Sequence, residues 1–188
     1  MLWVLAAVLA GSAVSFIFSR RFHDVHRPAA ALPLSVLACI LLVRTFGDPW
    51  KIAKGFLMAE SLICAGICDG ISHEIPDWLM LPMLAAGFLE FQPVPSAEGF
   101  FSVSLLLYLM ARATDGKAFG GGDIKLMAAA GWVLGPRGAV FGALAGMTLF
   151  LIARLVFFKQ KKQYYAMAPW LGAGCFFAYL LIPIGGIP

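Results

Sequence analysis

Two polar interruptions in an otherwise apolar chain carry residues able to do chemistry. The first reads Cys68-Asp69-Gly70-Ile71-Ser72-His73-Glu74-Ile75-Pro76-Asp77-Trp78. The second reads Phe119-Gly120-Gly121-Gly122-Asp123-Ile124-Lys125-Leu126-Met127-Ala128-Ala129-Ala130. Asp69 closes an apolar run, Gly70 is placed to end its helix, and Pro76 suits the first turn of the next one. In the second interruption three glycines precede an aspartate that opens a helix. Each therefore sets one carboxylate at the mouth of a helix bundle, a costly position that points to function. Two carboxylates held together share a proton. The ionised member can take a proton from water while the protonated one polarises a carbonyl, which is hydrolysis by general acid–base catalysis without a covalent intermediate. Helix-terminal aspartates also act as caps and dipole partners, and from the residues alone both readings stand.

The elements that must position these groups are membrane helices. Of the 188 residues 61% are hydrophobic and 13% charged, with a mean hydropathy of +0.88. Soluble domains average roughly 45–50% apolar and about 25% charged. A span needs about 20 apolar residues, so a chain of this length accommodates about eight or nine. This excludes a water-soluble enzyme, a disordered chain, a nucleic-acid binder and a disulfide-stapled secreted module. The expected architecture is an all-α polytopic membrane helix bundle forming a single transmembrane domain over residues 1–188. Cys39, Cys64, Cys68 and Cys175 lie in apolar stretches without the spacing of a zinc site and read as small packing residues.

Apolar runs predict spans near 2–18, 29–46, 52–69, 78–91, 99–112, 123–135, 138–158 and 167–185. The run from Leu2 to Phe18 has no basic residue before it, and Arg20-Arg21 follow it, so it reads as a retained first span with the N-terminus outside. The inner side then receives Arg20, Arg21, Arg27, Arg112, Lys117, Lys125, Arg154, Lys159, Lys161 and Lys162. The outer side receives Arg44, Lys51, Lys54 and Arg137, an asymmetry that matches the excess of cations in cytoplasmic loops. The short sixth run must cross, since otherwise the cluster at Lys159–Lys162 falls outside. Eight spans result, and both acidic interruptions face inward.

Asp69 with Ile75-Pro76-Asp77 resembles the D-x5-[IL]-P-[DN] motif of type IV prepilin peptidases, and Gly120 to Ala130 resembles their G-x-G-D-x-K-L-x-A-A motif. The two occur in the family's order, over a resemblance running from the third span to the seventh. Gly11-Ser12 followed by Arg20 echoes the family's opening only loosely. The resemblance implies an aspartic endopeptidase of the GxGD type, with Asp69 and Asp123 as the catalytic pair. It would cut the basic leader from prepilins or pseudopilins at the cytoplasmic face of the bacterial inner membrane, after a Gly and just ahead of an apolar helix. No cofactor is expected, the three scattered histidines suggest no metal site and the composition no nucleic-acid partner; membrane lipid and pilus or secretion assembly machinery are the expected surroundings. Larger members carry a cytoplasmic insertion with two C-x-x-C pairs after the first span and also methylate the new N-terminus. Here that loop is Ser19 to Pro28 and contains no Cys. The chain thus resembles the short peptidases of Flp/Tad-type systems, without N-methyltransferase activity expected.

Around the pair, Gly120 and Gly122, with Gly121, suit a hinge or a close approach of substrate backbone. Lys125 suits a partner for Asp123, a lipid-phosphate contact or an inner-face anchor. Glu74, Asp77 and Asp115 suit attraction of a basic leader, and Asp77 equally suits a helix cap. Glu60, nine residues before Asp69, falls on the opposite helix face and reads as a buried hydrogen-bonding residue. His23, His26 and His73 read as ordinary loop residues. Trp3, Trp50, Trp78, Tyr164, Tyr165 and Trp170 fit an interfacial belt. Two rival classes remain: a small proton- or cation-coupled transporter, which should show repeat symmetry, and a non-catalytic pilus-assembly scaffold.

Overall fold

The computed structural model describes residues 31–115, 119–157 and 166–182, and every regular element among them is helical. The expected first span, the echo around Gly11, the loop Ser19–Pro28 with its histidines, Lys117 and the Lys159–Lys162 cluster lie outside these residues. Helix α1 covers Ala31–Thr45 and α2 covers Pro49–Ser72. Pro49 opens α2, and Asp48 caps it by accepting from the Trp50 N–H at 3.0 Å. Gly70 does not end α2 as expected. The Ser72 hydroxyl donates to the Cys68 carbonyl at 3.0 Å, and the helix stops only at His73, which turns left-handed (φ 54°, ψ 24°) and donates its N–H to Asp69 O.

A single 3-10 turn, Asp77–Leu79, leads into α3, Met80–Gly87. This is far shorter than the expected span over 78–91, and at eight residues α3 is about 12 Å long. The Trp132 indole occupies the space a side chain at residue 87 would need, and Phe88 and Phe91 close over that ring at 5.8 and 5.4 Å. Helix α4 follows over Pro93–Ala113, starting six residues ahead of the expected boundary.

Helix α5, Gly121–Phe157, is continuous in hydrogen bonding except at Gly135 (φ 72°, ψ 177°), which Pro136 follows. The Cys175 thiol donates to Met127 Sδ at 3.7 Å, while a Cβ on Gly142 would stand 2.9 Å from Cys175 Cα. Residues 127 and 142 thus flank one cysteine, although a straight helix would hold them about 22 Å apart. The chain reverses at Gly135, and α5 is two antiparallel arms, matching the expected sixth and seventh runs. Helix α6, Ala168–Leu181, packs along the second arm.

Among the described residues three helices are long and apolar enough to cross a membrane, Pro49–Ser72, Pro93–Ala113 and Gly121–Val156, the last of them being the folded α5. Small residues set the contacts between helices. The α4 backbone at Gly99 touches the first arm of α5 at Gly131, and Gly146 on the second arm would bring a Cβ to 2.7 Å from Leu171 Cα on α6. Close backbone approach through glycine is the usual way helices associate in lipid, where burial of apolar surface gives little driving force. Met83, Leu126, Met127, Leu171 and Cys175 form the centre of the core, and all four cysteines are free. Leu105, Leu144 and Leu155 point outward, as a lipid-facing surface requires.

Following the chain through these reversals, the end of α2 and the starts of α5 and α6 share one end of the bundle. At the opposite end Tyr179 donates its hydroxyl to the Lys51 carbonyl at 2.5 Å and meets the Phe46 ring at 5.4 Å.

Candidate active site

Asp69 lies in the last turn of α2 and is only 8% exposed. Its Oδ2 accepts from the Ala168 N–H at 2.8 Å. Ala168 is the first residue of α6, whose own cap residue, Met167, supplies no side-chain bond. Asp69 therefore caps α6 from another helix, satisfying one of the donors that a helix start leaves unpaired and placing its carboxylate at the positive end of the dipole.

Asp123 is the third residue of α5 and reaches back to the backbone of Gly120, which hydrogen-bonds to it. This is one half of a capping box. Its other oxygen, Oδ1, is buried without a hydrogen-bond partner. Asp69 and Asp123 lie within electrostatic reach of each other. Each is oriented by one backbone donor at a helix start.

Both carboxylates open into one pocket of about 390 Å³, shared with His73, Glu74, Asp77, Gly120, Gly122 and Lys125. Of the residues singled out from the sequence around the pair, Glu74, Asp77, Gly120, Gly121, Gly122 and Lys125 thus meet there with both aspartates, whereas Asp115 does not line the pocket. Asp77 departs from one of its expected uses. It opens the 3-10 turn but makes no capping bond; instead its Oδ1 accepts from Lys125 Nζ at 2.7 Å, with the lysine 56% and the aspartate 74% exposed. Lys125 consequently pairs with Asp77, which was not among the partners expected for it. Ile75 packs on the same junction, since a Cβ on Gly122 would stand 3.2 Å from three of its atoms.

Glu60 is buried and has an interaction partner. Among the described residues no cluster of His, Cys, Asp or Glu could hold a metal ion. Sequence reasoning missed Ala168, whose contribution is a backbone N–H that no side-chain type signals. It also missed the pairing of Asp77 with Lys125, although the opposite charges of the two interruptions were visible.

The fold and site define a helical membrane protein with a two-carboxylate pocket at one end of the bundle. Residues 56–158, which include both aspartates, match the type IV leader peptidase family, and the chain belongs to that family. It is 28% identical over 174 residues to the prepilin leader peptidase/N-methyltransferase of Dickeya chrysanthemi, covering 82% of this chain and 61% of that protein. A protein of the same name from Bacillus subtilis (strain 168) is 33% identical over 172 residues, covering 81% and 65% respectively. One from Neisseria gonorrhoeae is 27% identical over 141 residues, covering 70% and 49%. The chain thus spans about half to two thirds of the length of these curated relatives. No solved structure matches it.

Proposed function

We propose that this chain is a membrane aspartic endopeptidase that removes the basic leader from prepilins or pseudopilins. Asp69 and Asp123 are the catalytic pair. The observation that carries the reading is their convergence, from two interruptions far apart in sequence, on one pocket where each keeps its orientation through a backbone donor. Family membership and the printed names of the relatives support it.

The pair shares one proton. The ionised carboxylate takes a proton from water as the water oxygen attacks the scissile carbonyl, and the protonated one gives its proton to the carbonyl oxygen. When the tetrahedral intermediate collapses, the C–N bond breaks and a proton passes to the leaving amine. The pair returns to its shared-proton state. Glu74 at the pocket rim draws the cationic leader toward the pair, and Gly120 and Gly122 leave room for its backbone.

The orientation we propose is eight spans with the N-terminus outside, as one domain in the bacterial inner membrane, and the pocket at the cytoplasmic face. Arg112, Lys125 and Arg154 fall at the pocket end of their helices, in support of that side. Pilus or secretion assembly machinery is the proposed setting. Methyl transfer is not part of the proposal, because the loop Ser19–Pro28 lacks the cysteine pairs of the larger enzymes.

The test is cleavage of a leader-bearing prepilin by purified protein in detergent, comparing wild type with Asp69→Asn and Asp123→Asn. Loss of cleavage in both variants is expected. Normal cleavage by either variant refutes the pair, and no cleavage by wild type on several such substrates returns the weight to the transporter or scaffold readings.

A further inference from the structure

Asp69 and Asp123 are not equivalent in their surroundings. Asp69 is buried, and its Oδ2 accepts the Ala168 N–H at 2.8 Å from the first residue of a second helix. Asp123 is held on the side that faces Gly120, where its Oδ2 lies 3.6 Å from the place a Cβ on Gly120 would take. Its Oδ1 is buried and has no partner. Among the described residues the only other buried side-chain nitrogen or oxygen in that condition is Trp132 Nε1, so neither oxygen of Asp69 shares it. A carboxylate spreads its charge over both oxygens, and each needs donors. A buried oxygen without one holds that charge at a cost larger than the first-turn dipole of α5 returns. A proton on Asp123 removes the cost. The carboxyl O–H becomes a donor, and Asp69 lies within electrostatic reach to accept. Lys125, which also lines the pocket, is bound to Asp77 and does not alter this balance.

Resting on the peptidase reading, we infer that the main-chain N–H of Ala168 is a positioning group that makes Asp69 the general base, and that the shared proton of the resting pair sits on Asp123. A hydrogen bond to an ionised oxygen is about twice as strong as one between neutral groups. The Ala168 donor therefore favours the charged form of Asp69 over its protonated form. The reaction then has a fixed direction. Asp69 takes a proton from water as the water oxygen bonds to the scissile carbonyl carbon, and Asp123 gives its proton to the carbonyl oxygen. As the C–N bond breaks, Asp69 passes its proton to the leaving amine, and Asp123 takes one from a hydroxyl of the intermediate. Both groups return to their starting states. The start of α6 thus serves the chemistry through a group that, of the natural side chains at position 168, only proline removes.

The experiment replaces Ala168 by its hydroxy acid, L-lactic acid, in the full chain by nonsense suppression. The N–H becomes an ester oxygen and the side chain stays. Proline is less clean, because Met167 lies at φ −96°, ψ −30°, a region that a following proline disfavours. Cleavage of a leader-bearing prepilin by wild type in detergent is scored first, and its absence refutes the peptidase reading itself. The two chains are then compared in kcat against pH. With Asp69 as base, its protonation ends activity on the acid side. Loss of its donor should move the acid limb up by about one pH unit and leave the basic limb in place. A basic limb that moves while the acid limb stays means that Asp69 holds the proton, which overturns the assignment. Two unmoved limbs overturn it as well, since a donor that only caps α6 lowers Tm without touching either. The other titratable groups here are Cys68 beside Asp69 and His73, Glu74, Asp77 and Lys125 around the pocket. None of them loses a partner to the ester, so what they contribute is common to both chains. Should the ester chain fail to fold, infrared absorption decides at neutral pH. The carbonyl band of protonated carboxyls should keep its intensity in Asp69→Asn and lose one carboxyl's share in Asp123→Asn. The reverse, or equal intensity in wild type and both variants, overturns the proposal.

Discussion

The two aspartates differ in what they do for the fold, and their removal should show it. Asp69 is buried and accepts the Ala168 N–H at 2.8 Å. Asp69→Ala leaves that donor without a partner, at a cost of about 1–3 kcal/mol. Asp69→Asn keeps a side-chain carbonyl oxygen as acceptor and should unfold close to wild type. Asp123 presents a buried oxygen with no partner, so Asp123→Ala removes an existing penalty. The Gly120 N–H that it releases lies on an exposed residue that water can satisfy. Relief of repulsion between the two carboxylates favours both deletions alike and cancels in the comparison. For a chain of this size 1 kcal/mol corresponds to about 2–4 °C in Tm. Thermal unfolding followed by circular dichroism in one detergent should therefore place Asp69→Ala about 2–12 °C below wild type, with Asp123→Ala level with it or higher. All three variants should lack cleavage. The reasoning is refuted if Asp123→Ala melts as early as Asp69→Ala, or if Asp69→Asn does.

Two further outcomes follow from the backbone. Gly135→Ala puts a Cβ on a residue at φ 72°, and the nearest atom to that Cβ is Pro95 O at 3.7 Å. The cost is then conformational, about 1–3 kcal/mol, and should appear as a lower Tm with cleavage retained by the folded fraction. Gly122→Ala brings a Cβ to 3.2 Å from Ile75 Cβ, Cγ1 and Cδ1. Crowding of about 1–3 kcal/mol at this junction should depress kcat/KM, and Ile75→Ala in the same chain should recover part of the loss.

What the sequence disclosed and what it withheld divide along physical lines. Apolar runs located α1, α2, α6 and the two arms of α5 to within a few residues, and α4 except for a start six residues early, because burial and lipid exposure are both written in side-chain type. The Gly135 reversal was legible as a break beside Pro136. The shortness of α3 was not, nor was the packing of its end, where the Trp132 ring fills the place of a side chain at Gly87, a contact across many residues of chain. The end of α2 was misjudged for a local reason. Gly70 has open space around it, but Ser72 holds the helix for one more half-turn and His73 takes the left-handed cap. The candidate site was legible as two carboxylate interruptions. Its support was not, since the donors at Ala168 and Gly120 are main-chain groups that every residue but proline carries.

The place of Lys125 shows how the site keeps two acids next to each other without a counter-ion. Residues two apart on a helix point about 200° apart, so Lys125 turns away from Asp123, and its ammonium meets Asp77 in the other interruption. The cation thereby fastens the two loops, while both catalytic candidates rely on backbone donors and neither is paired with the lysine. A tether this exposed is worth about 0.2–1 kcal/mol. In a double-mutant cycle on kcat/KM, Asp77→Ala and Lys125→Ala should therefore each cost up to about fivefold and together little more than either alone. The coupling should shrink at about 1 M salt, where screening acts within about 3 Å. Reversing both charges, Asp77→Lys with Lys125→Asp, should recover cleavage that either reversal alone removes. Losses that simply multiply, with no recovery on reversal, would mean that the pair leaves the two carboxylates where they would stand without it.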